Sequence, residues 1–228
     1  MDGVIDVSKK QKLILFIVVL VIGVVSFVIL KPETMAYRFK KEYESLNGKQ
    51  TDTGKKYLDV KIKNHESIIY ADYSRVFEIL NSSGVIYFGF PECPWCRNAV
   101  SVLLDAASET GINKIYYMNN RDDRDIQSLK DGKISIEQAG TNNYYKLLKK
   151  LGDKASVYEG LNDDSIKRLY FPTVVIVKDG KIIDLIMGTV DSQKDPYKAL
   201  NDKQRAELKN KYKKAMKQLL TCSDEKKC

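Results

Sequence analysis

Two cysteines three positions apart, in Cys93-Pro94-Trp95-Cys96, are the residues of this chain best suited to chemistry. Thiols at that spacing can close a small disulfide ring reversibly, and a thiolate is the nucleophile in such exchange. Before them runs the apolar, β-branched and aromatic stretch Gly84-Val-Ile-Tyr-Phe-Gly-Phe90, followed by Pro91-Glu92. After them, Val100, Leu103, Leu104 and Ala107 share one helical face that ends at Gly111. The pattern predicts a strand, a turn, and a helix that begins at the first thiol. Unpaired N–H groups and the positive end of the helix dipole then point at Cys93, and both favour its thiolate. Trp95 adds an apolar rim on which an extended or unfolded chain could dock.

Rival chemistries fit less well. A structural zinc site requires two further ligands. The one histidine, His65, sits in the polar setting of a solvent-exposed residue, and Cys222 and Cys228 stand in a charged tail at other spacing. Inert burial conflicts with a turn that carries Pro91, Pro94 and Trp95. A static structural disulfide is compatible with the spacing, although rings this small are typically reversible couples. Cys222 and Cys228 form a second pair that could close a terminal disulfide. No residue pattern calls for a metal or a cofactor.

The elements expected to position the thiols alternate between strand and helix. Tyr57 to Ile62 alternates as a strand would, Ser74 to Leu80 is helical, and Asn81-Ser-Ser-Gly84 turns into the strand before the cysteines. Lys114 to Met118 is a further strand. Residues 119–170 are polar and less regular, with a helical patch at Tyr144–Leu151 closed by Gly152. Then come Phe171-Pro172-Thr-Val-Val-Ile-Val177, the turn Lys-Asp-Gly180 and the run Lys181 to Met187, a hairpin signal of high specificity. Leu208, Tyr212, Ala215, Met216, Leu219 and Leu220 mark a last helix.

Residues 13–30 form an uncharged apolar run, with Lys9, Lys10 and Lys12 before it and Lys31-Pro32 after it. That length suffices for a membrane span. Only Thr34-Met35-Ala36 loosely matches a cleavage site and no cysteine stands just after the run, so an uncleaved signal anchor is expected. The lysines on the two flanks nearly balance and leave orientation open. Four cysteines suit an oxidising space outside the cytoplasm. The predicted organisation is a tail at 1–12, the anchor at 13–30, a stalk or linker at 31–55, an α/β domain at 56–221 with an insertion at 119–170, and a tail at 222–228. The net charge of +8 comes from lysines spread along the chain, without the aromatic interleaving of a nucleic-acid surface, so no nucleic-acid partner is expected.

The order of elements around Cys93-Pro-Trp-Cys96, together with Phe171-Pro172-Thr-Val-Val-Ile-Val-Lys-Asp-Gly180 through Gly188, resembles the thioredoxin superfamily. With its anchor, the chain is similar to membrane-tethered, extracytoplasmic thioredoxin-like proteins of Gram-positive bacteria. The likeness covers roughly residues 56–220 and implies a central mixed sheet flanked by helices, with the 119–170 segment as a helical insertion before the cis-Pro strand. It implies a protein thiol–disulfide oxidoreductase without a cofactor, acting on protein thiols and disulfides and recycled by a redox partner protein. Cys93 would be the exposed nucleophile and Cys96 the resolving thiol. Pro172 would be a cis-proline beside them, and Phe171 would offer its backbone to an extended substrate. Gly188 would admit that substrate's backbone. The family often keeps a buried carboxylate six positions before the first cysteine, where this chain has Tyr87; Glu92 is the carboxylate adjacent in sequence. Oxidase, reductase and isomerase directions all stay open. So do an accessory module that recruits a transport or secretion partner and an inward-facing glutaredoxin-like reductase.

Overall fold

In the computed structural model the described residues are 9–29, 34–63 and 65–221, with backbone alone at 23–29. Cys222, Cys228 and the disulfide expected of them lie outside the described residues. The chain divides into two compact units, Met1–Thr34 and Met35–Cys228.

In the first unit, helix α1 spans Lys9–Ile29. Its apolar side chains from Leu13 to Ile22 are all exposed. Among the described residues no helix is long and apolar enough to cross a membrane. The rest of the expected span, the side chains of 23–29 and residue 30, lies outside them.

The second unit is a mixed α/β structure, a central mixed sheet flanked by helices. It begins with α2 (Met35–Glu44), followed by β1 (Ile68–Tyr70), α3 (Tyr73–Leu80), β2 (Gly84–Phe88), α4 (Pro94–Thr110) and β3 (Ile115–Met118). The segment 119–170 contributes β4 (Ile126–Lys130), β5 (Lys133–Gln138), α5 (Asn142–Leu151), β6 (Ser156–Val157) and β7 (Lys167–Arg168). The chain closes with β8 (Thr173–Lys178), β9 (Lys181–Met187) and α6 (Asp202–Leu220). The five-stranded sheet has the order β1-β3-β2-β8-β9. Strands β1, β3 and β2 pair in parallel, and β8 joins antiparallel to β2 and β9. Val85 to Phe88 and Val174 to Val177 are fully buried, as central strands covered on both faces must be. Helices α4 and α6 pack on each other, and α3 packs on β2 and α5.

Three expectations change. First, α2 is no stalk: Phe39 and Tyr43, one turn apart, are fully buried, and the helix belongs to the compact unit. Second, Tyr57 to Ile62 alternates in burial but joins no sheet, because side chains take over its ladder. Asn47 bonds both the N–H and the carbonyl of Val60 at 2.9 and 2.7 Å. Glu44 takes the Ile62 N–H at 2.8 Å, and Arg97 donates to the Leu58 carbonyl at 2.6 Å. Third, the insertion is not only helical. Lys130-Asp-Gly-Lys133 repeats the turn at Lys178-Asp-Gly-Lys181, with φ of 50° and 73° at Asp131 and Gly132 against 49° and 72° at Asp179 and Gly180. That pair of positive φ values makes the tight hairpin turn that suits strand twist, so β4 and β5 form in a stretch expected to be irregular, within an insertion expected to be helical.

Candidate active site

Cys93 is the N-cap of α4. Its sulfur accepts the Cys96 backbone N–H at 3.2 Å, in the manner of the oxygen caps that usually start helices. Pro94 takes the first helical position, where a missing N–H leaves nothing unpaired. Across the turn, the Cys93 thiol donates to the Phe171 carbonyl at 3.8 Å. The Phe171–Pro172 peptide is cis. The Gly188 N–H donates to the Pro172 carbonyl at 2.8 Å, tying the end of β9 to the same place. The structure thus brings Cys93, Cys96, Phe171, Pro172 and Gly188 together, with Trp95 half-buried on the same turn. At Gly188 the φ of +69° accounts for the glycine, and no atom lies within 4 Å of where a Cβ would stand.

Both thiols are free. Cys93 is less exposed than expected, at 5%, and Cys96 is at 0%, so the remaining opening to solvent belongs to Cys93. Their acidities move apart. Burial pushes Cys93 up, but the Cys96 thiol, the backbone N–H groups of Cys96 and Trp95, and the Arg124 charge together hold it below the ordinary thiol value. Burial pushes Cys96 well above that value, and hydrogen bonding to Cys93 and the Cys93 charge push it further.

Arg124 comes from the 119–170 segment. Its guanidinium lies 4.4 Å from the Phe171 ring centroid and donates to the Leu169 carbonyl at 3.2 Å. Arg121 similarly covers Phe90 at 4.9 Å, and Phe90 meets Phe171 edge-on at 5.3 Å. Glu92, the carboxylate next to Cys93 in sequence, is spent on Arg121 at 3.6 Å.

Behind Cys96 the interior is aromatic. Tyr43, Tyr87, Tyr117 and Tyr212 are at most 1% exposed. The Tyr43 and Tyr87 hydroxyls are hydrogen-bonded at 2.9 Å, whereas those of Tyr117 and Tyr212 find no partner among the described residues. A Cβ at Gly89 would stand 2.5 Å from the Tyr87 hydroxyl oxygen, so glycine opens the backbone for that group. Arg97 braces the whole turn. Only 2% exposed, it donates to the carbonyls of Leu58, Tyr43 and Pro91 at 2.6, 2.9 and 3.0 Å and to Asn47 Oδ1 at 2.8 Å. None of Arg97, Arg124 and Tyr43 carries a sequence motif, because most of their partners are distant in the chain, whereas Gly89 matters through Tyr87, two positions before it. His65 is partly buried rather than exposed, with Nδ1 3.8 Å from Glu66.

A cavity of about 890 Å³ lies away from both thiols. It is an open groove floored by Phe77, Leu80, Leu151 and Ile182 and edged by lysines such as Lys146 and Lys149. Among the described residues no group of three or more His, Cys, Asp and Glu could hold a metal ion. No protein-family model matches the chain, and no curated protein matches it.

Proposed function

We propose that this protein is a membrane-anchored thiol–disulfide oxidoreductase of thioredoxin-like fold that exchanges disulfides with extracytoplasmic protein substrates through Cys93 and Cys96. The observation that carries this reading is the split between two adjacent thiols, one held below the ordinary value at a helix N-terminus and the other buried and held above it. A low-pKa thiol is the attacking group, and a neighbour that stays protonated does not compete with it. In the reducing direction the Cys93 thiolate attacks a client disulfide and expels one client sulfur as thiolate. Cys96 then gives up its proton and attacks the Cys93 sulfur. The Cys93–Cys96 bond forms, the Cys93–client bond breaks, and the second client sulfur leaves with the electron pair. Two electrons pass from the pair to the client, and the reverse sequence oxidises it.

Once Cys93 is in a mixed disulfide it no longer donates to Phe171. The freed carbonyl accepts an N–H from an extended client, and Trp95 and Phe90 give that client an apolar rim. The thioredoxin-like reading of the fold is supported by the β1-β3-β2-β8-β9 sheet with α4 starting at the nucleophile. The apolar run at 13–30 supports the anchor, and the four cysteines support an extracytoplasmic site and a redox partner that recycles the pair. Cys96→Ser should trap clients on Cys93, and labelling of whole cells with a membrane-impermeant thiol reagent should reach Cys93. Absence of trapped protein sinks the exchange reading, and label only after lysis sinks the orientation.

The lysine-edged groove favours a second reading, a binding module in which the fold recruits a partner. It predicts that Cys93→Ser leaves the cellular phenotype intact while changes in 119–170 abolish it.

A further inference from the structure

The groove away from the thiols combines two kinds of surface that thiol exchange does not use. Its floor is Phe77 and Leu80 at the end of α3, Leu151 at the end of α5 and Ile182 at the start of β9. Around that floor stand Lys146, Lys149, Lys150, Lys154 and Lys181, with Asp153 as the single carboxylate of the lining. Among the described residues none of these five lysines forms an ion pair, and Lys150 bonds the Asn81 side-chain oxygen at 2.9 Å. On α6, by contrast, Lys209 and Lys213 share Glu109, and Lys211 meets Glu207. Helix polarity accounts for Lys149 and Lys150, which stand in the last turn of α5. It does not account for Lys154, past the end of that helix, or for Lys181 on a strand.

We propose that this groove docks an acidic amphipathic segment of a partner protein, with apolar side chains on the floor and Asp or Glu side chains against the lysine rim. Charge complementarity sets the sign of the partner, since five cations face one carboxylate. The recessed floor sets its kind. Leu80 and Leu151 are only 5% and 3% exposed, so they lie below the exposed lysines. A flat bilayer would meet the rim and leave the floor uncovered, whereas peptide side chains can enter. The volume of about 890 Å³ falls within the ~300–1,000 Å³ typical of binding clefts. Docking there leaves the thiols open. Strand β8 runs from Thr173, beside the cis-proline, to Lys178, before the turn that borders the groove. Its six residues span about 20 Å at ~3.3 Å each. The assignment gives the recruiting reading its partner chemistry and rests on that reading, not on exchange at Cys93.

The test uses full-length protein in phosphatidylcholine nanodiscs, with empty nanodiscs as the blank. The probe is a fluorescent synthetic helix of leucine, alanine and glutamate with its leucines along one face. Anisotropy should show saturable binding that weakens at least about tenfold between about 0.05 and about 0.5 M salt. Lys146→Glu with Lys149→Glu should weaken it at least about tenfold. The same charge change at two exposed α6 positions, Lys203→Glu with Lys214→Glu, should stay within about twofold. Peptides with lysine for each glutamate, or glutamine for each leucine, should not bind, and Cys93→Ser should bind as the parent does. Equal weakening by both lysine pairs, or unchanged binding of the leucine-free peptide, reduces the effect to net charge and overturns the assignment. Displacement of the probe by phosphatidylglycerol vesicles but not by phosphatidylcholine vesicles gives the rim to lipid headgroups and also overturns it. Should the Lys146→Glu, Lys149→Glu protein lose its circular dichroism, Lys181→Glu decides: no weakening there overturns the assignment. A cellular phenotype that survives the loss of probe binding removes the recruiting reading and leaves the docking chemistry standing.

Discussion

The protein treats its two thiols differently. Around Cys93 it gathers two backbone N–H groups, a neighbouring thiol and the Arg124 cation, and leaves a narrow opening to solvent. Around Cys96, one helical turn further in, it gathers four buried tyrosines and no opening. Both thiols are desolvated, so burial alone does not separate them. Cys93 has donors enough to outweigh burial and Cys96 has not. In the proposed exchange Cys93 would act first and Cys96 second, and the difference arises from what each sulfur can accept.

The largest effect expected is the loss of this contrast itself. Cys93→Ser should abolish client exchange, by at least about a thousandfold, since a hydroxyl is a poor nucleophile at its free pKa. Cys96→Ser should leave the first attack and accumulate mixed disulfide, which non-reducing electrophoresis resolves. Arg97→Met attacks the frame that holds both surroundings in place. Four hydrogen bonds from a buried guanidinium disappear, and chemical denaturation should show about 3 kcal/mol less stability. Both thiol midpoints should then drift toward the ordinary value. Gly89→Ala disturbs only the inner side: it should slow resolution by Cys96 while leaving alkylation of Cys93 unchanged. The smallest effect belongs to Arg124→Ala, which removes the outer cation. The Cys93 midpoint should rise by about half a unit, slowing alkylation about threefold at neutral pH. An equal shift at Cys96 would contradict the division into two surroundings.

Linkage gives these shifts a sign in stability as well. The depressed Cys93 pKa favours the folded, reduced protein at pH above the ordinary thiol value, and that contribution fades as pH falls through the folded value. The raised Cys96 pKa acts oppositely, costing stability as pH climbs past the ordinary value, because only the unfolded chain then ionises that thiol.

Local signals in the sequence located the strand before Cys93, the helix after it and the hairpin at Asp179-Gly180, since each is specified by neighbours in the chain. The same Lys-Asp-Gly-Lys at 130–133 was equally local, but its strands are largely exposed and lack the apolar run that made the other visible. The alternation at 57–62 was real in burial and misleading in pairing, because Asn47, Glu44 and Arg97 replace the partner strand. Phe39 and Tyr43 looked like a charged stalk's aromatic residues until β1 and β3 supplied the surface that buries them. In the site, Cys93, Cys96, Phe171 and Pro172 were legible from two motifs. Tyr87 registered only as a missing carboxylate, because its meaning depends on Tyr43, forty-four positions away. Arg124 had no signal, being a lone cation in a polar segment.

The split between the two thiols can be read by titrating them separately in the reduced, full-length protein, for example by cysteine-selective isotope labelling and nuclear magnetic resonance. The Cys93 midpoint should lie below the free-thiol value of ~8.5 and the Cys96 midpoint clearly above it. Two midpoints that coincide near the free-thiol value, or stand in the reverse order, would contradict the split.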